Sequence, residues 1–213
     1  FLLSLVVALA SVFLSLHLAS GCVSRLFFVS HTNLLQILIL AMPHTALALG
    51  IVLLLSSDGV LSRWILIIFG LPSADYLFPR DPLGLGTLMS LVIKETIFIT
   101  AVGLAFAKKL PIDAMLLVGH QAGFSRKIIW RKLLWPQIRR KLQPILLIVF
   151  LFGLTNLEVA AILGPDQPQF FAVRLHRMLQ DPDDLTRQAG ALGSLVLLST
   201  AILLAWIMSK MYR

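Results

Sequence analysis

Polar and titratable side chains interrupt the apolar stretches of this sequence at three places. These are His44, the neighbours Lys94 and Glu95, and the group Thr155, Asn156 and Glu158. Such groups are costly to bury in lipid, and they often mark the path of a solute or proton through a membrane. We interpret them as candidates for a translocation pathway. The alternatives are a neutral buried histidine bonded to a carbonyl, and a structural ion pair.

These polar groups need partners from other parts of the chain. His44 follows Pro43, which lacks a backbone N–H and favours a bend near the middle of an apolar stretch. Lys94 and Glu95 are adjacent, so on a helix they do not face each other. Glu158 could pair with Lys94 or face a solute, and the sequence leaves both hypotheses open.

The sequence lacks the common patterns of catalytic and metal-binding residues. It has no HExxH pair, no GxxxxGK[ST] loop, and a single cysteine, Cys22. We therefore predict no enzymatic activity, no catalytic or metal-binding residue and no cofactor. Nucleic-acid binding is also disfavoured, because the basic residues are concentrated in one short loop without an aromatic stacking platform.

Composition places the chain among membrane proteins. Hydrophobic residues make up 58% and charged residues 13% of the sequence, with a mean hydropathy of +0.92. A helix needs roughly 20 apolar residues to cross the hydrocarbon core. Stretches of that length occur at 1–20, 34–57, 84–107, 145–164 and 190–209. The shorter run 60–70 predicts an interfacial or re-entrant helix, or part of a bent span. We therefore expect an all-α, polytopic transmembrane bundle of about five spans with short interfacial helices.

The charge distribution predicts the orientation of these spans. Most of the eighteen Lys and Arg residues fall in loops on one side, whereas most Asp residues fall on the other. The positive-inside rule makes the basic side cytoplasmic. The segment 110–141 and the C-terminus are then cytoplasmic, and the loop 165–188 faces outward. Within that loop, the four-residue spacing of Phe171, Leu175 and Leu179 predicts a short amphipathic helix at the outer interface, which Asp181-Pro182 would end. Because the sequence opens with Phe1 and has no basic leader, we expect it to begin inside a longer protein.

The segment 110–141 is the most informative part of the sequence. It is polar and basic, and its apolar spacing over 114–135 predicts one amphipathic helix or two short ones. Gly119 and Gly123 lie four residues apart, where small side chains would let another surface approach closely. Gly123 stands thirteen residues before Pro136.

This spacing resembles the EAA motif of the MetI-like, binding-protein-dependent ABC importer permeases. When the motif glycine is aligned on Gly123, its proline falls on Pro136, and its Glu-Ala-Ala positions fall on Leu117, Val118 and Gly119. Leu117 thus replaces an acidic residue and Gly119 replaces an alanine. Segments 43–55 and 157–169 also resemble that family, the latter in its thiamine-, iron- and polyamine-type subgroup.

The resemblance implies one transmembrane domain over 1–213, as part of a longer permease or as a complete half. It implies that the 110–141 loop forms a coupling helix that docks on a separate ATP-binding-cassette ATPase subunit. The residues implied in coupling are Gly119, Ala122, Gly123, Phe124, Ser125, Arg126, Ile129 and Trp130.

Further partners follow from the same resemblance. A periplasmic substrate-binding protein would contact the outer loop through Arg174, Arg177, Asp183 and Asp184, unless that loop only caps the pore. A second permease half would complete the pore in the bacterial inner membrane. Two alternatives remain open for the chain, an ion-coupled secondary transporter fragment and a lipid-acting membrane enzyme. Basic residues such as those at 139–141 could also lie on anionic lipid.

Overall fold

The computed structural model describes residues 1–29, 38, 40–69 and 78–211, and within these ranges the chain is helical without any β-strand. The helices are α1 (Leu2–Val29), α2 (His44–Leu55), α3 (Val60–Phe69), α4 (Leu85–Ala107), α5 (Ile112–Gln121), α6 (Arg126–Ile129), α7 (Trp135–Thr155), α8 (Leu157–Leu163), α9 (Phe171–Leu179) and α10 (Asp184–Met211). A π-helical turn, Trp130–Leu134, joins α6 to α7. The predicted all-α polytopic bundle is confirmed.

The membrane spans differ in detail from those predicted. In the described residues, four helical segments are long and apolar enough to cross a membrane: Leu2–Leu26, His44–Trp64, Leu85–Ala107 and Asp184–Leu204. A fifth span results if Arg126–Thr155 and Leu157–Leu163, which are bent by 50°, are counted as one. Of the run 60–70, residues 60–64 fall within the candidate span His44–Trp64, in which residues 56–59 separate α2 from α3. The choice between part of a bent span and an interfacial helix stays a prediction. Half of 34–43, where the second span was predicted to start, lies outside the described residues.

The predicted span 145–164 contains a bend. Its helix starts earlier, within the basic insert, and Pro144, predicted to be its cytoplasmic start, lies inside α7. The helix stops at Asn156, whose extended backbone (φ −66°, ψ 103°) separates α7 from α8. A hydropathy profile does not reveal this change of direction, because the helices on both sides of it are apolar.

Helix α1 shows that the insert and the outer loop lie at opposite ends of the bundle. Near its start, Ser4 accepts a 2.7 Å hydrogen bond from the backbone N–H of Phe171. Near its end, Val23 shares a buried cluster with Ile129 and Trp130 of the insert. The nineteen residues between Ser4 and Val23 span about 28 Å of helix, close to the thickness of a hydrocarbon core.

Much of the apolar surface remains exposed on the outside of the bundle. Leu53 on α2, Ile67 on α3 and Leu195 on α10 are each at least 60% exposed. Among the four candidate spans, counted without the bent pair, α10 is the least buried, with 6% of its apolar stretch covered by the rest of the protein. Lipid or another protein subunit can cover such faces, whereas water would not favour them.

Candidate functional site

His44, Lys94 and Glu95 line one cavity of about 260 Å³. Phe98 and Phe152 contribute its aromatic wall. Three of the predicted pathway residues are therefore brought together by α2, α4 and α7. The cavity lies partway along the spans, because Lys94 is the tenth residue of α4, about 14 Å from its start.

Lys94 reaches across the cavity to the break before α2. Its ammonium donates hydrogen bonds to the carbonyl oxygens of Leu40, at 3.0 Å, and of Met42. A helical turn that stops at a proline leaves its last carbonyls without N–H partners, and a cation is favourable there. Lys94 therefore bonds to carbonyl groups that lose their backbone partners where the helix is interrupted at Pro43. The hypothesis of a Lys94–Glu158 pair stays a prediction.

Glu95 points away from Lys94 and contacts α1, as their adjacent positions require. The Glu95 side chain is buried, with 4% exposure, and its carboxylate accepts hydrogen bonds from Ser11 and Ser15, each at 3.3 Å. These serines were not among the predicted site residues. Their spacing of four residues inside an apolar span, with Ser4 seven residues before Ser11, was the sequence pattern that could have identified them.

His44 begins α2 and stacks against the cavity wall. Its ring centroid lies 4.6 Å from that of Phe152, at an interplanar angle of 48°. His44 therefore joins the broken second span to α7 and carries a titratable group at the cavity.

The remaining predicted pathway residues lie at the α7–α8 break, outside the set that lines this cavity. Thr155 Oγ1 donates to the carbonyl of Leu151 at 2.8 Å, within its own helix. Asn156 Oδ1 accepts a 2.8 Å hydrogen bond from the Val159 N–H and so caps α8. Glu158 is exposed in the first turn of α8. Asn156 has a clear local role, and a pathway role for these residues stays a prediction.

The insert forms two helices that meet at a glycine turn, as the second of the predicted alternatives required. Gly123 adopts φ +77°, a left-handed conformation that glycine tolerates best, and it ends the turn after α5. Gly119 is buried, and a Cβ there would lie 2.5 Å from Ile129 Cδ1. The surface that approaches Gly119 closely is therefore Ile129 of the same chain.

The helix that leaves the insert enters the membrane without a break. The Trp135 N–H bonds to the carbonyl of Trp130, five residues back, so the π-helical turn widens the helix just before Pro136. Pro136 can follow because it has no N–H to place. The second helix of the insert is therefore continuous with α7.

The tip of the insert presents an apolar surface. Leu117, Val118 and Phe124 are exposed by 60%, 64% and 53%. Ala122, Ser125 and Arg126 are exposed beside them, whereas Ile129 and Trp130 are buried against α1 and α4. The predicted coupling residues thus separate into an exposed tip and a buried root, and Leu117 and Val118 belong to the tip although they were not in the predicted set.

The outer loop packs on the opposite end. Phe170 is buried with Val7 and Leu91, and the rings of Phe1 and Phe171 meet edge to face at 5.2 Å. Helix α9 follows and ends at Leu179, before the predicted Asp-Pro stop. Its charged residues Arg174 and Arg177, with Asp183 and Asp184 beyond it, are exposed. Within the described residues, no three His, Cys, Asp or Glu side chains are grouped so that they could hold a metal ion.

Comparison with known proteins identifies a curated relative. The chain is 28% identical over 178 residues to the Inner membrane ABC transporter permease protein YnjC of Escherichia coli (strain K12), an alignment that covers 82% of this chain. The chain spans about a third of that protein's length, 33%. No protein-family profile matches the sequence. Together with the apolar helices, the similarity supports a multi-pass inner membrane protein of the ABC permease type. The thiamine-, iron- and polyamine-type subgroup has no support beyond the sequence resemblance.

Proposed function

We propose that this chain is a permease unit of an ATP-binding-cassette importer, which forms part of a translocation pore for a small solute. The similarity over 82% of the chain to an inner membrane ABC transporter permease carries this proposal. A separate ATPase subunit binds the insert, and ATP hydrolysis belongs to that subunit. The insert is then cytoplasmic, as is the C-terminus.

The two parts of the insert suit a mechanical coupling element. Its exposed tip, Leu117, Val118 and Phe124, offers apolar surface to a partner. Its root, Ile129 and Trp130, is buried in the same apolar cluster as Val23 of α1. Because the root is rigidly packed, displacement of the tip by a partner moves α1 and α7 together rather than bending the loop. Alternating access requires such rigid transmission.

The polar cavity suits a pathway within the bundle. His44, Lys94 and Glu95 supply titratable groups, while Phe98 and Phe152 supply apolar wall. A second permease unit covers the exposed apolar faces, and a periplasmic binding protein delivers solute to the opposite end through Arg174 and Arg177. The alternative, an ion-coupled transporter, needs a group of carboxylates that forms an ion site, and the cavity is lined by a single carboxylate, Glu95, among the residues that the structure describes.

Substitution of Gly123 tests the coupling role. Valine at φ +77° is strained by about 1–3 kcal/mol, so Gly123→Val should displace the tip without entering the core. The chain is co-expressed with a candidate ATPase subunit, and the amount of ATPase that co-purifies is measured. We expect this amount to fall at least about ten-fold, because a loss of 1.4 kcal/mol in binding free energy corresponds to a factor of ten.

The matched control is Gly50→Val. A Cβ at Gly50 meets no atom within 4 Å, and Gly50 lies in α2, away from the insert. This variant should retain the ATPase. Equal retention by both variants, or transport driven by an ion gradient without ATP, would contradict the proposed function.

A further inference from the structure

A basic cleft lies between the end of α1 and the root of the insert. We define this basic cleft by Ser24, Arg25, Arg126, Lys127 and Trp130, which enclose about 390 Å³. Three of these five residues are cationic, and no carboxylate lines the cleft. The volume falls in the range of small-molecule binding sites. The cleft shares no lining residue with the cavity at His44, and its Arg126 adjoins the exposed tip of the insert.

The position of the basic cleft along α1 matches the level of lipid headgroups. The apolar span Leu2–Leu26 comprises 25 residues, about 37 Å of helix against a hydrocarbon core of about 30 Å. Arg25, at its end, therefore lies beyond the hydrocarbon. Trp130 shares a buried cluster with Val23, two residues before Arg25, and tryptophan is enriched at this membrane boundary.

The surface of α1 below the cleft suits an acyl chain. Leu14 and Leu18 are eleven and seven residues before Arg25, spacings that place all three on nearly the same helix face. Both leucines are exposed, by 40% and 48%. A ligand with a phosphate in the cleft and a hydrocarbon chain along this face would satisfy both surfaces.

We propose that the basic cleft binds the phosphodiester headgroup of an anionic phospholipid, whose acyl chain lies along Leu14 and Leu18. Arg25 presents a guanidinium group that can bind two phosphate oxygens, and Arg126 and Lys127 add positive charge to the cleft. The lipid thereby bridges the first span and the root of the insert. This inference needs only a membrane-embedded chain, so it does not depend on ATPase coupling.

Lipid retention by the purified full-length chain tests the proposal. The protein is equilibrated with phosphatidylglycerol and phosphatidylcholine of identical acyl chains, and native mass spectrometry counts the lipids retained. We expect preferential retention of phosphatidylglycerol and about a five-fold loss in Arg25→Gln, the factor corresponding to one basic residue near an anionic surface. Lys127→Gln should give a loss of similar size and serves as the second variant if Arg25→Gln does not fold.

The control is Arg139→Gln, which removes one positive charge from the same basic region but lies outside the cleft. Its lipid retention should match the unaltered chain. An equal loss in Arg139→Gln, or equal retention of both lipids, would overturn the proposal. Displacement by inorganic phosphate would identify a general phosphate site, and displacement by an ATPase subunit would identify a protein-docking surface. Either result would also overturn it.

Discussion

At the scale of single residues, two adjacent charged side chains form hydrogen bonds with different parts of the bundle. Lys94 satisfies carbonyls exposed by the break at Pro43, and Glu95 accepts hydrogen bonds from serines of α1. Lys94 is 5% exposed and Glu95 is 4% exposed. Burying either charged group without hydrogen-bond partners would carry a large desolvation cost. The polar groups thus hold α1, α2 and α4 together while they line the cavity.

The bond between Glu95 and Ser11 should be measurable by a double-mutant cycle. Ser11→Ala, Glu95→Gln and the double variant should show a coupling energy of about 0.5–3 kcal/mol, the range for residues in one hydrogen-bond network. The measurement is the unfolding free energy of the purified protein in detergent. Ser24→Ala, whose hydroxyl bonds to Gly21 in its own helix, combined with Glu95→Gln should be additive. Additivity for Ser11 as well would contradict the observed contact.

At the scale of elements, the ends of helices carry much of the specific chemistry. Asn156 caps α8, Gly123 ends the turn after α5, and Asp183 precedes α10. Asp183 Oδ2 accepts hydrogen bonds from the backbone N–H and the hydroxyl of Thr186, at 2.9 and 2.8 Å. The backbone bond, followed by the hydroxyl bond, lowers the pKa of Asp183 below its ordinary 3.8.

The cap of α10 should therefore weaken in acid. A carboxyl whose folded pKa is lowered stabilises the fold above its unfolded pKa and loses that contribution as pH falls through the folded pKa. We expect faster amide hydrogen exchange at Thr186, relative to the intrinsic rate, as pH falls from above 3.8 through the lowered pKa. Asp183→Asn can still cap the helix but does not titrate, so its relative exchange should not change over this window. An identical pH response in both proteins would refute the assignment.

At the scale of the whole molecule, α1 and α4 separate two chemically different ends. One end carries the basic insert, rooted by Trp130 near Val23, and the other carries α9, joined to Ser4 through Phe171. The charge distribution predicts that the basic end is cytoplasmic. The polar cavity at Lys94 lies between the two ends, which is the arrangement that a translocating unit needs.

Cysteine labelling tests this orientation. Cys22 is the single cysteine in the sequence, so Cys22→Ser gives a background without thiols. In that background, Arg177→Cys should react with a membrane-impermeant maleimide in intact spheroplasts, because Arg177 is exposed on α9. Val118→Cys, exposed on the insert, should react only after the membrane is opened. Reaction of Val118→Cys in intact spheroplasts would reverse the topology and remove the basis for ATPase coupling.

Local composition and spacing were sufficient to predict much of this protein. Hydropathy predicted the helical bundle, and the apolar spacing over 114–135 predicted one amphipathic helix or two short ones, of which the structure shows two. The spacing within 170–179 predicted α9. These features depend on residues near one another in the chain, and helix periodicity and backbone preference act at that range.

Only the tertiary structure decided which groups meet. It assigned Glu95 to Ser11 and Ser15, placed Gly119 against Ile129 rather than a foreign surface, and bent the predicted span 145–164 at Asn156. It also brought Arg25 beside Arg126, about a hundred residues away in sequence. Hydropathy treats every apolar helix face as equivalent in lipid, so partner choice between helices depends on close packing and polar bonds formed in the assembled bundle.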